Sequence, residues 1–482
     1  MKILSIETSC DETAVSIIEA SGNAESPSFV ILGNALYSQI STHAEYGGVF
    51  PMLAKREHAK NIVPLFVAAS KKAIETAISL AIHHTQATYT LDQETKDKIC
   101  TILQKENDLS SILIDALEKN LEEDGGDLID VDCIAVTTGP GLEPALWVGI
   151  SFAKALAYVL KKPLIPINHM EGHIVSVLMA GSSVESNGMA SETSTAPSPA
   201  TSATEDASRN AHQTNEPAAD FEPQAISPRV EFPALALLIS GGHTELVLAN
   251  EWHSYKVIGQ TVDDAIGEAF DKVARLLNLP YPGGPKISKL AAESRAQNLR
   301  EKLIAESADK NTPPWTLPRP MIKSGDYNFS FSGIKTAVLY ALRKKTNDAM
   351  SDLKSSTEKL SHEEQATLCE EFENAVTEVL VSKTERALSE TKAKTLIIGG
   401  GVIANSYIRS NFEKMIADEF GPESGQPVRP FVPSLDLSTD NSVMIGIAGY
   451  LRWISSDDNE KIKMQDHASN IGDIKASGNL SL

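Results

Sequence analysis

Ala236-Leu237-Leu238-Ile239-Ser240-Gly241-Gly242-His243-Thr244-Glu245-Leu246-Val247-Leu248 reads as an apolar strand, a small polar turn and a second apolar strand. The same plan opens the chain, in Ile3-Leu4-Ser5-Ile6-Glu7-Thr8-Ser9-Cys10-Asp11-Glu12-Thr13-Ala14-Val15-Ser16-Ile17-Ile18. Two hairpins of one design, in the two halves of a chain, are the mark of an internal duplication. Both turns are built of small or polar residues, whose backbone N–H groups can approach an anion closely.

Two phosphate-gripping hairpins facing each other across a cleft describe the actin/Hsp70/sugar-kinase architecture, an α/β, two-lobed actin-like ATPase (ASKHA) fold. A third glycine cluster supports it. Thr395-Leu396-Ile397-Ile398-Gly399-Gly400-Gly401-Val402-Ile403-Ala404-Asn405 runs from strand through glycines toward a helix, and a helix start behind glycines suits a nucleotide. A tight strand–helix turn alone would explain that cluster equally well. The expected organisation is an N-terminal lobe over 1–180 with a peripheral helical insertion at about 84–130, and a disordered Ser/Ala/Thr/Pro-rich linker over 181–229. A C-terminal lobe over 230–454 follows, whose last helix can pack back on the first lobe, and then a flexible tail over 455–482.

Metal chemistry is suggested by Pro166-Ile167-Asn168-His169-Met170-Glu171-Gly172-His173-Ile174. Asn168 is a good N-cap after an extended, proline-bearing approach. His169 and His173 are four apart, so on a helix both imidazoles share one face and can reach one ion. Chance pairs at this spacing are common. Glu171 is third in the run and points off the histidine face, unlike the Glu of the zinc-protease signature, which counts against a protease. Asp440, before an apolar helix starting near Val443, is either that helix's cap or a third ligand. Two His and one Asp with open positions suit Fe(II) or zinc. Asp263 to Lys272 reads as a helix with carboxylates on several faces; Asp271 could hold a ribose hydroxyl, or the helix could be a solvated acidic one.

The chain has 482 residues, net charge −21 and 42% hydrophobic residues. That charge alone argues against nucleic-acid binding. The acid is uneven, however, with twelve Asp/Glu against four Lys between Asp92 and Asp130, so a locally basic groove elsewhere stays open. No run of 18 apolar residues predicts a membrane span. The first residues read at once as a strand rather than a presequence. Cys10, Cys100, Cys133 and Cys369 are too scattered for a disulfide framework. A cytoplasmic location is the expectation.

Taken jointly, nine stretches resemble one family: Glu7–Thr13 (ETSCDET), Tyr46–His58 (YGGVFPMLAKREH), Thr138–Leu142 (TGPGL), His169–His173 (HMEGH), Ser240–Thr244 (SGGHT), Asp263–Lys272 (DDAIGEAFDK), Tyr281–Pro285 (YPGGP), Phe329–Lys335 (FSFSGIK) and Gly399–Asn405 (GGGVIAN). The chain resembles the tRNA N6-adenosine threonylcarbamoyltransferases of the bacterial TsaD type, formerly grouped as O-sialoglycoprotein endopeptidases. The resemblance implies the two-lobed actin-like fold with duplicated lobes and two inserted segments. It also implies transfer of a threonylcarbamoyl group from threonylcarbamoyl-AMP to N6 of adenine 37 in tRNAs reading codons that begin with A. By position it assigns His169, His173 and Asp440 as ligands of one divalent metal ion per subunit, Fe(II) ahead of zinc. Leu238, Ile239, Ser240, Gly241 and Gly242 become the nucleotide-contacting hairpin, Asp271, Gly284 and Asn405 contacts to the adenylate, and Asp11 and Glu12 the catalytic acidic pair. Implied partners are a TsaB-like paralogue docking on the N-terminal lobe, a TsaE-like ATPase and a TsaC-like enzyme that makes the adenylate. Ser438 stands where the family commonly has Cys, and length is added at about 84–130 and 181–228. An actin-like ATPase or kinase would share the hairpins without needing the histidines. A metalloprotease would explain the histidines but not three glycine clusters.

Overall fold

The computed structural model describes residues 1–106, 108–122, 128–179, 229–306, 315–346, 360–465 and 473–482. Of the linker expected over 181–229, residues 181–228 lie outside the described residues. The first sheet holds β1 (Lys2–Glu7), β2 (Glu12–Asn23), β3 (Ser26–Ser38), β4 (Cys133–Gly139) and β5 (Leu164–Asn168), in the order β3-β2-β1-β4-β5. The second holds β6 (Ala234–Ile239), β7 (Thr244–Glu251), β8 (Ser254–Gln260), β9 (Thr395–Gly399) and β10 (Arg429–Phe431). Read from the β8 edge, its order is β8-β7-β6-β9-β10. In both, the first three strands form an antiparallel meander and the last two add in parallel. The duplication seen in two hairpins therefore extends to whole sheets, and the fold is the two-lobed actin-like one. The inner strands β4 and β9 are buried at every residue, as parallel strands covered on both faces must be.

The helices of the first half are α1 (Ile40–Ala44), α2 (Pro51–Ser79), α3 (Gln93–Ile102), α4 (Leu109–Glu122), α5 (Glu143–Leu160) and α6 (His169–Val175). Those of the second, apart from a single turn at Leu435–Ser438, are α7 (Ile266–Leu276), α8 (Gly283–Ala296), α9 (Leu299–Glu306), α10 (Ser332–Thr346), α11 (His362–Thr391), α12 (Ser406–Phe420), α13 (Ser442–Ser455) and α14 (Asp458–Gln465). By length and composition α5 could cross a membrane, but 72% of it is buried inside the first lobe. The segment expected as a peripheral insertion is more than a decoration. Ile99, Leu103, Leu109, Leu113 and Leu117 are buried in one core with Val63 and Phe66 of α2 and Leu156 of α5. Glu94, Asp97, Lys98, Asp115 and Lys119 lie on the exposed faces of α3 and α4, whereas Glu106 between the two helices is buried beside Lys55 of α2 at 3.2 Å.

Two helices cover the sheet of the opposite half. Val443, Met444, Ile445, Ile447 and Leu451 of α13 pack with Ile3, Ile18, Ala135 and Ile165 of the first sheet. Met170 and Ile174 of α6, with Val177, pack with Ala236, Leu238, Val247 and Ile397 of the second. Each such side chain is worth roughly 1.5–3 kcal/mol when buried, so the exchange is firmly held. The two helices touch at Gly172, where a Cβ would lie 3.0 Å from both Met444 Cγ and Ile445 Cδ1. Any larger residue would press on these two side chains and force them to shift.

Two further differences from expectation have local causes. α7 begins at Ile266 rather than Asp263, because the Asp263 carboxylate accepts from the Ser330 hydroxyl, the Phe331 N–H and both the N–H and hydroxyl of Ser332 at 2.6–3.2 Å. It thus organises the start of α10. Part of the stretch expected as a flexible tail is docked. Ser477 N–H donates to the Thr138 carbonyl (2.9 Å), Gly141 N–H to the Gly478 carbonyl (3.1 Å) and Asn168 Nδ2 to the Ser481 carbonyl (3.1 Å).

Candidate metal and adenylate site

β5 delivers the chain to α6 through Asn168. Its side-chain oxygen accepts from the N–H groups of Met170 (2.8 Å) and Glu171 (3.4 Å), which is N-capping as the sequence suggests. The next residue, His169, is 4% exposed and His173, one turn on, is 0% exposed. Their rings stand nearly perpendicular, with centroids 4.7 Å apart. At the start of α13 the cap is Asn441, whose side chain accepts from Met444 N–H at 3.0 Å. Asp440 is thereby released from capping. Its Oδ1 lies 3.3 Å from His169 Nε2 and 3.1 Å from His173 Nε2.

The donor set fits a divalent ion. Ligand atoms bound at about 2.0–2.2 Å are roughly 3–3.4 Å apart in tetrahedral or octahedral geometry, and the three donor atoms here all lie within 4.8 Å of one another. Two imidazoles and a carboxylate suit Fe(II) or zinc over magnesium. Burial would push the His169 imidazole down, but Asp440 and Glu7 on either side raise it well above its usual range. Burial likewise opposes the charge of Asp440, and the histidines hold it well below the usual carboxylate range.

Glu7 is a site residue that the sequence reading quoted but gave no role. It is 0% exposed. Its Oε1 accepts from Ser9 N–H (2.5 Å), and its Oε2 from the Thr137 hydroxyl (2.5 Å) and His169 Nδ1 (3.1 Å). Burial opposes its charge, yet the neighbouring His169 keeps its pKa lowered. An ionised carboxylate only accepts, so Nδ1 keeps its proton toward Glu7; the raised pKa puts a second proton on Nε2, which donates to Asp440, and loss of that proton frees the Nε2 lone pair for a ligand role. The readable signal was a carboxylate ending an otherwise apolar strand, which can be buried only with a partner. His243 was also missed. Burial, and then His169 and His173 beside it, push its pKa down to about 4, so it stands next to the cluster as a neutral imidazole. Glu171 faces away from the cluster, its Oε1 2.7 Å from His253 Nδ1.

The other assigned residues divide by what their side chains are free to do. Leu238 and Ile239 are 0% exposed and Ser240 is 9% exposed, so the exposed part of this hairpin is Gly241 and Gly242. Ser240 closes the turn by donating its N–H to the His243 carbonyl (2.9 Å) and accepting at its hydroxyl from His243 N–H (3.1 Å). Gly241, Gly242 and Gly284 face open space. Asp271 on α7 accepts from Gly283 N–H at 2.7 Å, pinning the start of α8 beside Gly284. Asn405 is saturated. Its oxygen caps α12 through Tyr407 and Ile408 N–H (3.0 Å each), and its amide donates to Ser288 (2.7 Å) and Glu373 (2.6 Å). It therefore has no side-chain hydrogen-bonding group left for a nucleotide. Asp11 and Glu12 sit where β1 turns into β2. Burial, then the charges of Asp11 and Asp440, push Glu12 up to about 10. Burial also raises Asp11. At neutral pH Glu12 holds a proton and Asp11 is its acceptor.

A family model described as TsaD, tRNA N6-adenosine threonylcarbamoyltransferase, matches residues 30–81, 104–187 and 217–447. Proteins with that same name from Chromobacterium violaceum and Thermosipho africanus are each 34% identical to the chain. They cover 94% and 95% of it and 93% and 97% of their own lengths. Among solved structures, a ROK hexokinase from Thermus thermophilus aligns over 95% of this chain and 100% of its own at 9% identity, with a TM-score of 0.36. Full-length HypF in its phosphate- and nucleotide-bound form aligns over 73% of this chain and 42% of its own at 11% identity, with a TM-score of 0.35.

Proposed function

Because the chain belongs to the tRNA N6-adenosine threonylcarbamoyltransferase family, we infer that it is a tRNA-modifying acyltransferase whose donor is threonylcarbamoyl-AMP and whose acceptor is N6 of adenine 37 in tRNAs reading codons that begin with A. The observation that carries this reading is the meeting of His169, His173 and Asp440, at 3.1 and 3.3 Å, beside the open Ser240–Gly242 turn.

In the reaction the N6 nitrogen bonds to the carbamoyl carbon, the bond from that carbon to the phosphate oxygen breaks, and AMP departs with the electron pair. The N6 proton passes to the Asp11 carboxylate, which the protonated Glu12 orients. The N–H groups of Gly241 and Gly242 hold the adenylate phosphate, and the edge of α7 and α8 at Asp271 and Gly284 receives the nucleoside. Asn405 serves by positioning, since it aims Ser288 and fixes the start of α12. His169, His173 and Asp440 would hold a divalent cation, Fe(II) before zinc, and that ion would supply Lewis-acid chemistry at the carbamoyl group. Adenine 37 lies in an anticodon loop, where a base can be presented without opening a duplex. The four cysteines are free thiols, which supports a reducing, cytoplasmic setting. Family membership supports a TsaB-like paralogue and a TsaE-like ATPase as partners.

The test is incubation of the protein with threonylcarbamoyl-AMP and unmodified tRNA, with and without chelator, followed by nucleoside analysis. Threonylcarbamoyladenosine formed only without chelator is expected. Its absence under both conditions, even after addition of a TsaB-like paralogue and a TsaE-like ATPase, would sink the reading.

A further inference from the structure

The loop between α1 and α2 exposes apolar side chains that the reaction as described does not use. Tyr46 is 59%, Phe50 56% and Met52 67% exposed. The Tyr46 and Phe50 rings pair with centroids 5.6 Å apart. Grouped exposed rings of this kind mark contact surfaces. Met52, Arg56 and Lys60 follow at four-residue spacing along one exposed face of α2. The side chains of Arg56 and Lys60 are 74% and 72% exposed, and each comes no closer than 3.9 Å to Glu57. In a chain of net charge −21, two loosely paired cations beside paired aromatics are a distinctive local composition.

The position of this loop narrows what it could bind. Arg275 of α7 donates to the Gly47 carbonyl, so the loop spans from the first half to the helix that carries Asp271. Inward, a buried chain of hydrogen bonds joins it to the acidic pair. Phe50 N–H donates to His43 Nδ1 (3.4 Å), and His43 Nε2 to Gln39 Oε1 (3.1 Å). Gln39 Nε2 (3.3 Å) and the Thr13 hydroxyl (2.7 Å) both donate to His58 Nδ1. His58 Nε2 donates to the Cys10 carbonyl (3.1 Å). Gln39 N–H also donates to the Asp11 carbonyl at 2.9 Å. Thr13, Gln39, His43 and His58 are all 0% exposed. The carbonyl at one end can only accept, which sets the direction of every link. The exposed rings are thus fixed to the turn that carries Asp11.

We propose that Tyr46 and Phe50 form a stacking platform for unpaired bases of the acceptor RNA, with Arg56 and Lys60 taking the adjoining phosphates. The proposal rests on the reading that the acceptor is a tRNA loop. Every base has a π-face, so rigid aromatic pairs accept neighbours of a reacting base whatever their sequence. Cations on the adjacent helix face meet the backbone that such bases trail. A protein partner would use the same rings but has no need of a cationic stripe.

The test uses the full-length protein and an anticodon stem-loop RNA carrying unmodified adenine 37, read by fluorescence anisotropy beside a fully paired RNA of the same length. Tyr46→Ala and Phe50→Ala are each expected to weaken stem-loop binding about fivefold or more. Tyr46→Phe should retain it, paired RNA should not discriminate, and metal content should stay at the parent value. Arg56→Ala should flatten the dependence of affinity on salt. Unchanged stem-loop affinity in both alanine variants overturns the platform. So does a self-association or partner complex that these variants abolish while RNA binding persists. If the parent protein modifies no tRNA yet loses stem-loop binding on Tyr46→Ala, the platform stands and the transferase reading falls. If the parent transfers normally and Tyr46→Ala leaves the KM for tRNA unchanged, the platform alone falls.

Discussion

Replacing Glu7 by Gln tests how the candidate metal site is held. The change removes a charge and keeps the shape. Gln must put its amide nitrogen at one of two oxygen positions. At Oε1 it would face Ser9 N–H, a fixed donor. At Oε2 it faces the Thr137 hydroxyl, which can rotate to accept, and His169 Nδ1. The second placement is cheaper, and it forces His169 Nδ1 to become an acceptor. The ring proton then moves to Nε2, the atom 3.3 Å from Asp440, and the lone pair offered to a metal is lost. Partners of this kind typically govern affinity about 10- to 100-fold, or about 1.4–2.7 kcal/mol. An opposing effect must be separated. Glu7 also favours the imidazolium form of His169, so the variant suffers less proton competition. That competition fades as pH rises whereas the tautomer cost does not, so the comparison runs along an ascending pH series and is read where the parent's affinity stops rising. Zinc titrated into metal-free parent and variant, in the presence of a competing chelator, gives the two affinities, with circular dichroism as a check on folding. Equal zinc affinity in the two proteins at that pH would refute the assigned tautomer and the supporting role of Glu7.

His173→Ala should bind no stoichiometric metal and lose transfer with its secondary structure intact; wild-type modification rates in that variant would exclude a metal role for the pair. Gly172→Ala puts a methyl group 3.0 Å from Met444 and Ile445, so a loss of about 1–3 kcal/mol is expected together with weaker metal binding as α6 and α13 part; calorimetry and metal titration that both match the parent would contradict the packing argument. Glu12, raised from 4.5 to about 10 mainly by burial and Asp11, favours folding fully below pH 4.5 and loses that contribution as pH climbs toward 10. Glu12→Gln cannot ionise, so its stability relative to the parent should grow across that window by at most about 1.4 kcal/mol per pH unit; parallel stability–pH curves would count against it. Deleting residues 478–482 strips acceptors from Gly141 N–H and Asn168 Nδ2, and a loss of about 1–3 kcal/mol with reduced metal affinity is expected in thermal and titration assays.

The duplicated hairpins were legible because a strand–turn–strand pattern is written in consecutive residues. The histidine pair was legible for the same reason, since four-residue spacing and an Asn cap suffice to place two rings on one face. Side-chain availability was not. Asn405 fits a nucleotide contact by position, yet its amide is consumed by Ser288, Glu373 and the start of α12. Nothing local to Asn405 reveals that Glu373, 32 residues earlier in the chain, is aimed at it. The helices at 93–122 looked peripheral because charge marks an outer face, while their leucines reveal burial only once α2 and α5 are seen beneath them.

By itself, then, the sequence determined the local pieces: the strands, the caps, the glycine turns and the helical face that carries His169 and His173. It could only nominate Asp440, as cap or ligand and by family resemblance; the tertiary structure is what brings that residue, 267 residues from His173, to 3.1 Å from the ring. That contact exists because α6 and α13 each cover the other half's sheet and cross at a glycine, so burial of apolar surface far from the ligands sets the distance between them. Periodicity reports on neighbours within a few residues, whereas the exchange of two helices depends on how whole sheets are roofed.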